Sequence, residues 1–335
     1  MLSLLLSFLF VFNADYTSDS STFDSIQPHL SQKSTKVIQS IKIADREGSK
    51  YDLNLLSQNT WGLPVSLKGH DQALRFSKIS NALLKENFDV ISLQEVFSPS
   101  LRTSLIDGLS KTYYLYSDYS CNQMIIPFFY RDCYGGLMTV SRHPILEEKF
   151  FRFPKYTGIS LIEKIGSKGV LITIINKNGQ ELMIINTHLY AGNGIKAEKY
   201  RLLQIQFIHE ILKNSYTNYP HPVFLVGDIN VPHPDNGYSI VYEYITTKME
   251  FADSKKHITD EDYTIDHSKN TYVRESEPQA KLDYVFIRSH YSDAISITNQ
   301  GRFKSDNLLI SDHFGWKISC KFLGIKNTEI AQTIK

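Results

Sequence analysis

Four short apolar runs in this chain each stop on polar side chains, and that pattern restricts the fold more than any other feature. Leu53 to Leu56 leads to Asn59, Val90 to Leu93 leads to Glu95, and Leu182 to Ile185 leads to His188. Val223 to Val226 leads to Gly227-Asp228-Ile229-Asn230. A short apolar run bounded by polar residues reads as a buried strand. Alternate residues of a strand share a face, so Phe224, Val226, Asp228 and Asn230 are expected to point one way. One polar strand ending is commonplace. Four of them, with a fifth polar cluster at Ser311-Asp312-His313, describe the lining of a site.

Between these runs the period changes. Phe76, Ile79 and Leu83 form a helical stripe, and Ser98-Pro99 reads as an N-cap with proline at N1 ahead of Leu101, Leu105 and Leu109. Tyr200, Leu203, Phe207, Ile208 and Ile211 form a third stripe, from which Tyr219-Pro220 exits. Strands are expected at Leu137 to Val140, Val170 to Ile175 and Glu181 to Asn186, without intervening helices. Asn178-Gly179 joins the last two as a hairpin turn. Adjacent strands mixed with helices predict an α+β protein: a four-layer α/β/β/α sandwich with two central mixed β-sheets. Asp253 to Pro278 is polar and reads as a long surface loop.

The chain has 335 residues, 42% of them hydrophobic, and its strands spread from Tyr51 to Phe322, which suits one large domain over residues 46–322. Residues 15–45 are rich in Ser, Thr, Asp and Gln and read as a linker or arm, and 323–335 as a tail. Met1 to Phe12 is almost wholly apolar, with no Lys or Arg before Lys33. About a dozen apolar residues are too few to span a bilayer and suit a signal-peptide core. Residues 1–14 are therefore read as a signal peptide, implying export, with a short N-terminal anchor as the other reading. The formal net charge of +1 shows no basic bias, so composition does not point to nucleic acid. Cys121 and Cys133 bracket a short loop, while Cys320 stands alone in a late strand. In an oxidising compartment a disulfide between the first two would stabilise the fold by about 3 kcal/mol.

Six motifs fall in the order found in the endonuclease/exonuclease/phosphatase superfamily, which the chain resembles over residues 51–322. They are Asn59-Thr60-Trp61-Gly62-Leu63-Pro64, Leu93-Gln94-Glu95-Val96-Phe97, Asn186-Thr187-His188-Leu189, Gly227-Asp228-Ile229-Asn230, Leu282-Asp283-Tyr284 and Ser311-Asp312-His313. Three details resemble the neutral sphingomyelinase branch. They are the Asn-x-Trp-Gly-x-Pro opening, Gly135-Gly136-Leu137 running into Val140-Ser141-Arg142-His143-Pro144-Ile145, and Ser167-Lys168-Gly169. Two features depart from secreted bacterial members. Ile287 to Ile310 is too short and polar for their aromatic hairpin, and Pro99 stands where they hold a second, edge metal.

The resemblance implies Mg²⁺-dependent hydrolysis of sphingomyelin to ceramide and phosphocholine, with Mn²⁺ or Co²⁺ as substitutes for Mg²⁺. The alternative is another phosphoesterase of the superfamily: a lysophospholipid phospholipase C, an inositol-lipid phosphatase or a nuclease. The implied partner is a membrane sphingolipid or phospholipid substrate, with no protein partner. A phosphodiester is an anion, and a hard divalent cation lowers the repulsion met by a nucleophile. Glu95 is the implied principal metal ligand, Asn59 a neutral one, and Asp312 a contact through water. His313 is the implied base, since histidine titrates near neutral pH, with Asp283 fixing its tautomer. Asp228 would orient the water, Asn230 would donate to a phosphoryl oxygen, and His188 would stabilise developing charge or assist the leaving group. Lys168 belongs to a loop that swings toward the site in eukaryotic-type members; Glu163 stands where they have an Asp.

Taken singly, these residues have plainer readings: Glu95 as a helix cap, His188 and His313 as structural histidines, Lys168 as an exposed turn lysine. Asp283 could cap its strand, with Lys281 as a solvated partner. Met124 to Tyr130, centred on Phe128 and Phe129, reads either as a disulfide-closed loop entering a lipid interface or as a loop folded over the core.

Overall fold

The computed structural model describes residues 52–63, 72–115, 135–304 and 309–323, and the backbone of a hairpin at 123–126 and 129–131. Residues 1–51, the side chains of Phe128 and Phe129, and the Cys121 and Cys133 pair lie outside the described residues. The described strands are β1 (Asp52–Gly62), β2 (Val90–Val96), β3 (Tyr114–Leu115), β4 (Gln123–Ile126), β5 (Phe129–Arg131), β6 (Met138–Ser141) and β7 (Ile145–Arg152). They continue with β8 (Gly169–Lys177), β9 (Gln180–His188), β10 (Val223–Asp228), β11 (Phe251–Asp253), β12 (Asp283–Arg288), β13 (Ile295–Phe303) and β14 (Gly315–Phe322). The helices are α1 (Gln72–Lys85), α2 (Pro99–Leu109), α3 (Leu161–Gly166), α4 (Ile195–Ser215) and α5 (Ile240–Thr247). None is long and apolar enough to cross a membrane.

Two mixed six-stranded sheets form, ordered β13-β14-β1-β2-β6-β3 and β11-β12-β10-β9-β8-β7, and β4 and β5 pair as a separate hairpin. Strand alternation sorts the apolar side chains into three cores. Leu53, Leu55, Ile184, Phe224 and Val226 face inward and meet between the sheets with Trp316 and Ile318. Their neighbours Leu56, Ile91 and Leu93 face outward under Phe76, Ile79, Leu83 and Leu105 of α1 and α2. Met183, Ile185, Val223 and Leu225 face Ile205, Ile208 and Ile245 of α4 and α5. Helix, sheet, sheet and helix are the expected four layers.

Register then places the polar strand ends. β9 and β10 are parallel with Asp228 opposite His188, and β10 and β12 are antiparallel with Asp228 opposite Asp283. Close approach of β10 to β9 requires Gly227, whose φ is 147°, since a Cβ there would overlap the Thr187 carbonyl. Gly227→Ala is expected to destabilise the fold by roughly 3 kcal/mol or more, because the ladder must part. A urea midpoint equal to that of the wild type would contradict this.

Three expectations need correction. β10 ends at Asp228, and Asn230 has φ 55°, so strand alternation does not carry that side chain; a turn does. β7 and the short α3 lie between β6 and β8; six helical residues without an apolar stripe leave no period to read. Asp253 to Pro278 is a loop with many exposed residues, as expected, but it is not solvated throughout. Asp253, Asp262, Thr264, Asp266 and Asn270 are buried, because they hold neighbouring backbone in place, as described below.

Candidate active site

The polar side chains converge by strand direction. Parallel pairs β1/β2 and β9/β10 bring Asn59, Glu95, His188 and Asp228 to their carboxyl ends. The antiparallel strands β12 and β14 start at that same edge, which delivers Asp283 and, just before β14, Asp312 and His313. The amide of Asn59 joins the two sheets, its Nδ2 donating to Glu95 Oε1 at 3.1 Å and to Asp228 Oδ2 at 3.0 Å.

Backbone strain concentrates here. Trp61 (φ 48°), Glu95 (φ 57°), Ser167 (φ 50°) and Asn230 (φ 55°) are left-handed without being glycine, a conformation costing on the order of 1–3 kcal/mol each. β1 slips register against β2 between Asn59 and Gly62, and a Cβ on Gly62 would overlap the Glu95 carbonyl. The bulge and the turn at Glu95 are thus one feature, which aims Asn59 and Glu95 at each other.

His313 Nδ1 lies 2.8 Å from Asp283 Oδ2, and its Nε2 faces Asp228 Oδ2 at 3.8 Å. Burial works to push its proton off, but the carboxylates of Asp283 and Asp228 outweigh burial and hold His313 well above the usual histidine range. Asp228 accepts from Asn59 and from the Asn230 backbone N–H at 3.0 Å, and burial lifts its carboxyl to about 6. Asn230 gives a side-chain N–H to the Leu189 carbonyl at 3.1 Å.

Lys168 is buried, which overturns the reading of it as an exposed turn lysine. Its ammonium donates to Glu163 Oε1 at 3.0 Å, to the Leu189 carbonyl at 2.9 Å and to His188 Nε2 at 3.1 Å. An ammonium only donates, so the His188 proton sits on Nδ1. Burial, with the nearby charges of Lys168 and His313, holds His188 well below the usual range, so its ring is neutral. The positive charge at this flank therefore belongs to Lys168. Lys281 is fully buried as well, not solvated: its ammonium lies 3.5 Å from the Tyr284 ring centre, 4.5 Å from that of Trp316 and 3.8 Å from Asp253. Burial lowers it to about 8 against the pull of Asp253 and Asp283.

A second ring of residues escaped the sequence reading. Asn270 Nδ2 donates to the carbonyls of Ser311 and Asp312, both at 3.0 Å. Thr264 Oγ1 accepts from the backbone N–H of Leu282 and of Asp283, and its carbonyl accepts from Phe314 N–H. Arg75 donates to the carbonyls of Thr60, Trp61 and Ile310, tying the β1 bulge to the Ser311 segment. Asn270→Ala is expected to cost about 2 kcal/mol by stranding two buried carbonyls, and to lower turnover more than substrate affinity. A variant with unchanged turnover would remove Asn270 from this supporting role.

The site also fits a hard divalent cation. Glu95 Oε2 is buried and finds no donor among the described residues. Burial and the charge of Asp312 push Glu95 up to about 7, and burial raises Asp312 as well. Two buried carboxyls that are costly to ionise together, all of oxygen, are what such an ion stabilises. Asp228, Asp283 and His313 also present ligand atoms within 4.8 Å of one another, a grouping able to hold a metal. Asn59 turns its nitrogen, not its oxygen, to the carboxylates, and its Oδ1 accepts from Trp61 N–H at 2.9 Å. Serving as an oxygen ligand would require that amide to rotate.

Comparison with known proteins identifies the family. The chain is 26% identical over 254 residues to a putative neutral sphingomyelinase of Drosophila melanogaster, covering 71% of this chain and 52% of that protein. It is 28% identical over 279 residues to sphingomyelinase C 2 of Leptospira interrogans, covering 76% and 43%. The chain thus spans about half the length of these curated relatives. A Staphylococcus aureus beta toxin solved with bound magnesium ions shares the fold at a TM-score of 0.60 and 20% identity, covering 80% of this chain and 99% of that one. The model of the endonuclease/exonuclease/phosphatase family matches residues 56–313. That span runs from the first polar strand end to the last, and the chain belongs to this family.

Proposed function

We propose that this chain hydrolyses sphingomyelin to ceramide and phosphocholine at a membrane surface, with Mg²⁺ that Glu95 would hold directly, Asp312 through water, and Asn59 once its amide has rotated. Mn²⁺ and Co²⁺ are the expected substitutes. One observation carries the chemistry: His313, held by Asp283 at 2.8 Å, turns its other nitrogen into a cluster where Glu95 keeps an oxygen without a donor among the described residues. The names of the two relatives support the substrate.

When bound, a divalent cation offsets the charge of the phosphoryl oxygens and of the surplus carboxylates that keep a proton on His313. Asp283 fixes the imidazole so that Nε2 is the nitrogen that takes a proton from water. Asp228, rigid between two donors, accepts from that water and aims it. The water oxygen bonds to phosphorus as the phosphorus–oxygen bond to ceramide breaks; the departing ceramide oxygen takes a proton from solvent, and His313 returns to solvent the one it took from the water. Lys168 supplies fixed positive charge beside the developing oxyanion, with neutral His188 and Leu189 holding its ammonium in place. Asn230 keeps a second side-chain N–H for a phosphoryl oxygen.

The test is phosphocholine release from sphingomyelin vesicles with Mg²⁺, against phosphatidylcholine vesicles, with EDTA as control. Selective release abolished by EDTA is expected. Release from neither lipid, with cleavage of plasmid DNA or of an inositol sphingolipid that His313→Ala abolishes, would replace the substrate.

A further inference from the structure

Four of the seven large apolar side chains exposed among the described residues lie at or just before helix starts near the site: Leu161 (64% exposed), Ile195 (90%) and Ile240 (42%) open α3, α4 and α5, and Tyr238 (78%) precedes α5. The other three, Leu74, Leu146 and Leu323, are scattered on α1, on β7 and after β14.

The four form one rim around the start of α4. Glu198, in the first turn of α4 after Ile195, accepts from Ile240 N–H at 3.1 Å. Tyr200 donates to the Thr157 carbonyl at 2.7 Å, and Gly158 lies against Lys196 and Tyr200, which seats the loop leading to Leu161 beside Ile195. Tyr200 stacks between Tyr156 and Tyr190, at ring distances of 6.1 and 5.1 Å. The rim is continuous with the site. Glu163, two residues past Leu161, accepts from both Lys168 Nζ and Ala191 N–H. Leu189, just before Tyr190, accepts from Lys168 and Asn230.

We infer that this rim is the surface by which the protein seats itself on a phospholipid layer, with Leu161, Ile195 and Tyr238 entering the interface. The inference deepens the proposed function and rests on it for the location of the substrate. Three observations select a lipid surface over a protein groove. The apolar groups are separate tips, Leu161 and Ile195 opening α3 and α4 after Ser160 and Gly194 and Tyr238 following Gly237, not a continuous face. Lys155, Lys164, Lys196 and Lys199 stand exposed among them, and cations between apolar tips complement headgroup phosphates. Within residues 153–168, 189–199 and 237–240 the acidic residues are Glu163 and Glu198, each engaged by protein donors, and the Tyr238 hydroxyl donates to Glu243 just beyond at 2.6 Å.

Two measurements test this. The first combines Leu161→Ser, Ile195→Ser and Tyr238→Ser in the full chain. Sedimentation with mixed sphingomyelin and phosphatidylcholine vesicles, in a His313→Ala background, is expected to show binding weakened by about tenfold or more. Turnover of a water-soluble phosphocholine ester, in the otherwise wild-type background, is expected to stay within about twofold, the range for surface changes away from a site. The second places a reporter with Ile195→Trp, whose emission should shift to the blue on vesicle addition, since Trp61 and Trp316 are buried. Unweakened vesicle binding, an unshifted emission, or a matching loss of soluble turnover would overturn the inference. The two readings fail separately: no turnover of the soluble ester by the wild type refutes the headgroup, while sedimentation still decides the rim.

Discussion

Glu95→Gln, freed of metal with EDTA, is expected to be more stable than the wild type above pH 7 and inactive at every pH. The carboxyl rises from a value of 4.5 to about 7 on folding, because burial and the charge of Asp312 disfavour its ionised form. A carboxyl with a raised folded value binds more protons folded than unfolded, so stability falls as pH climbs from 4.5 to about 7 and is level beyond. The penalty reaches roughly 3 kcal/mol at most. Glutamine keeps the oxygen that accepts from Asn59 and carries no charge to ionise, so it escapes the penalty. The same change removes the charge that holds a divalent cation, and turnover should fall by about 10³-fold or more. Melting in EDTA across pH 5 to 9 separates the two effects. Mg²⁺ should raise the midpoint of the wild type and leave that of Glu95→Gln unmoved. A variant less stable than the wild type at high pH would show that Glu95 serves structure, not a cation.

What the sequence disclosed and what it withheld follow from the range of each interaction. Asp228, His188 and Asp283 were legible because each ends or begins a buried strand, and burial with alternation is written locally. The two-residue period failed at Asn230, where the backbone turns left-handed at a residue that is not glycine. The same turn at Glu95 left no mark in the sequence, although Gly62, the residue it requires, did. Asn270 and Thr264 sit in a polar stretch without period, and their partners lie 41 and 18 residues away, so nothing local distinguished them from loop residues. Lys281 was misread for a related reason. Its burial depends on Tyr284 three residues on and on Trp316 and Asp253 from other strands, which come beside it only in the folded protein. The exposed tips at Leu161, Ile195 and Tyr238 were invisible for the opposite reason: single apolar residues in turns resemble ordinary core residues until their exposure is known.

Asp283→Asn is expected to lower kcat by about 10³–10⁴-fold while leaving the fold intact, nearly the loss from His313→Ala. The carboxylate accepts from His313 Nδ1 at 2.8 Å, which fixes the proton there and leaves Nε2 free to accept. An asparagine in the same space presents its amide nitrogen to Nδ1 as readily as its oxygen. The ring then satisfies Nδ1 as an acceptor and carries its proton on Nε2, where it can donate to a water but cannot take a proton from it. Loss of the carboxylate also removes the largest influence holding His313 above the usual histidine range, since burial alone pushes the ring the other way. With the nitrogen turned to Nδ1, the amide oxygen takes the place of Asp283 Oδ1, which is already buried without a donor among the described residues, so the change costs the fold little. The decisive readout is the double variant. If Asp283 acts only through His313, the combined loss equals that of His313→Ala alone, because a missing ring cannot be oriented. If the two losses multiply, Asp283 has a contact of its own with the reacting atoms, and the pair is not the unit that its geometry implies.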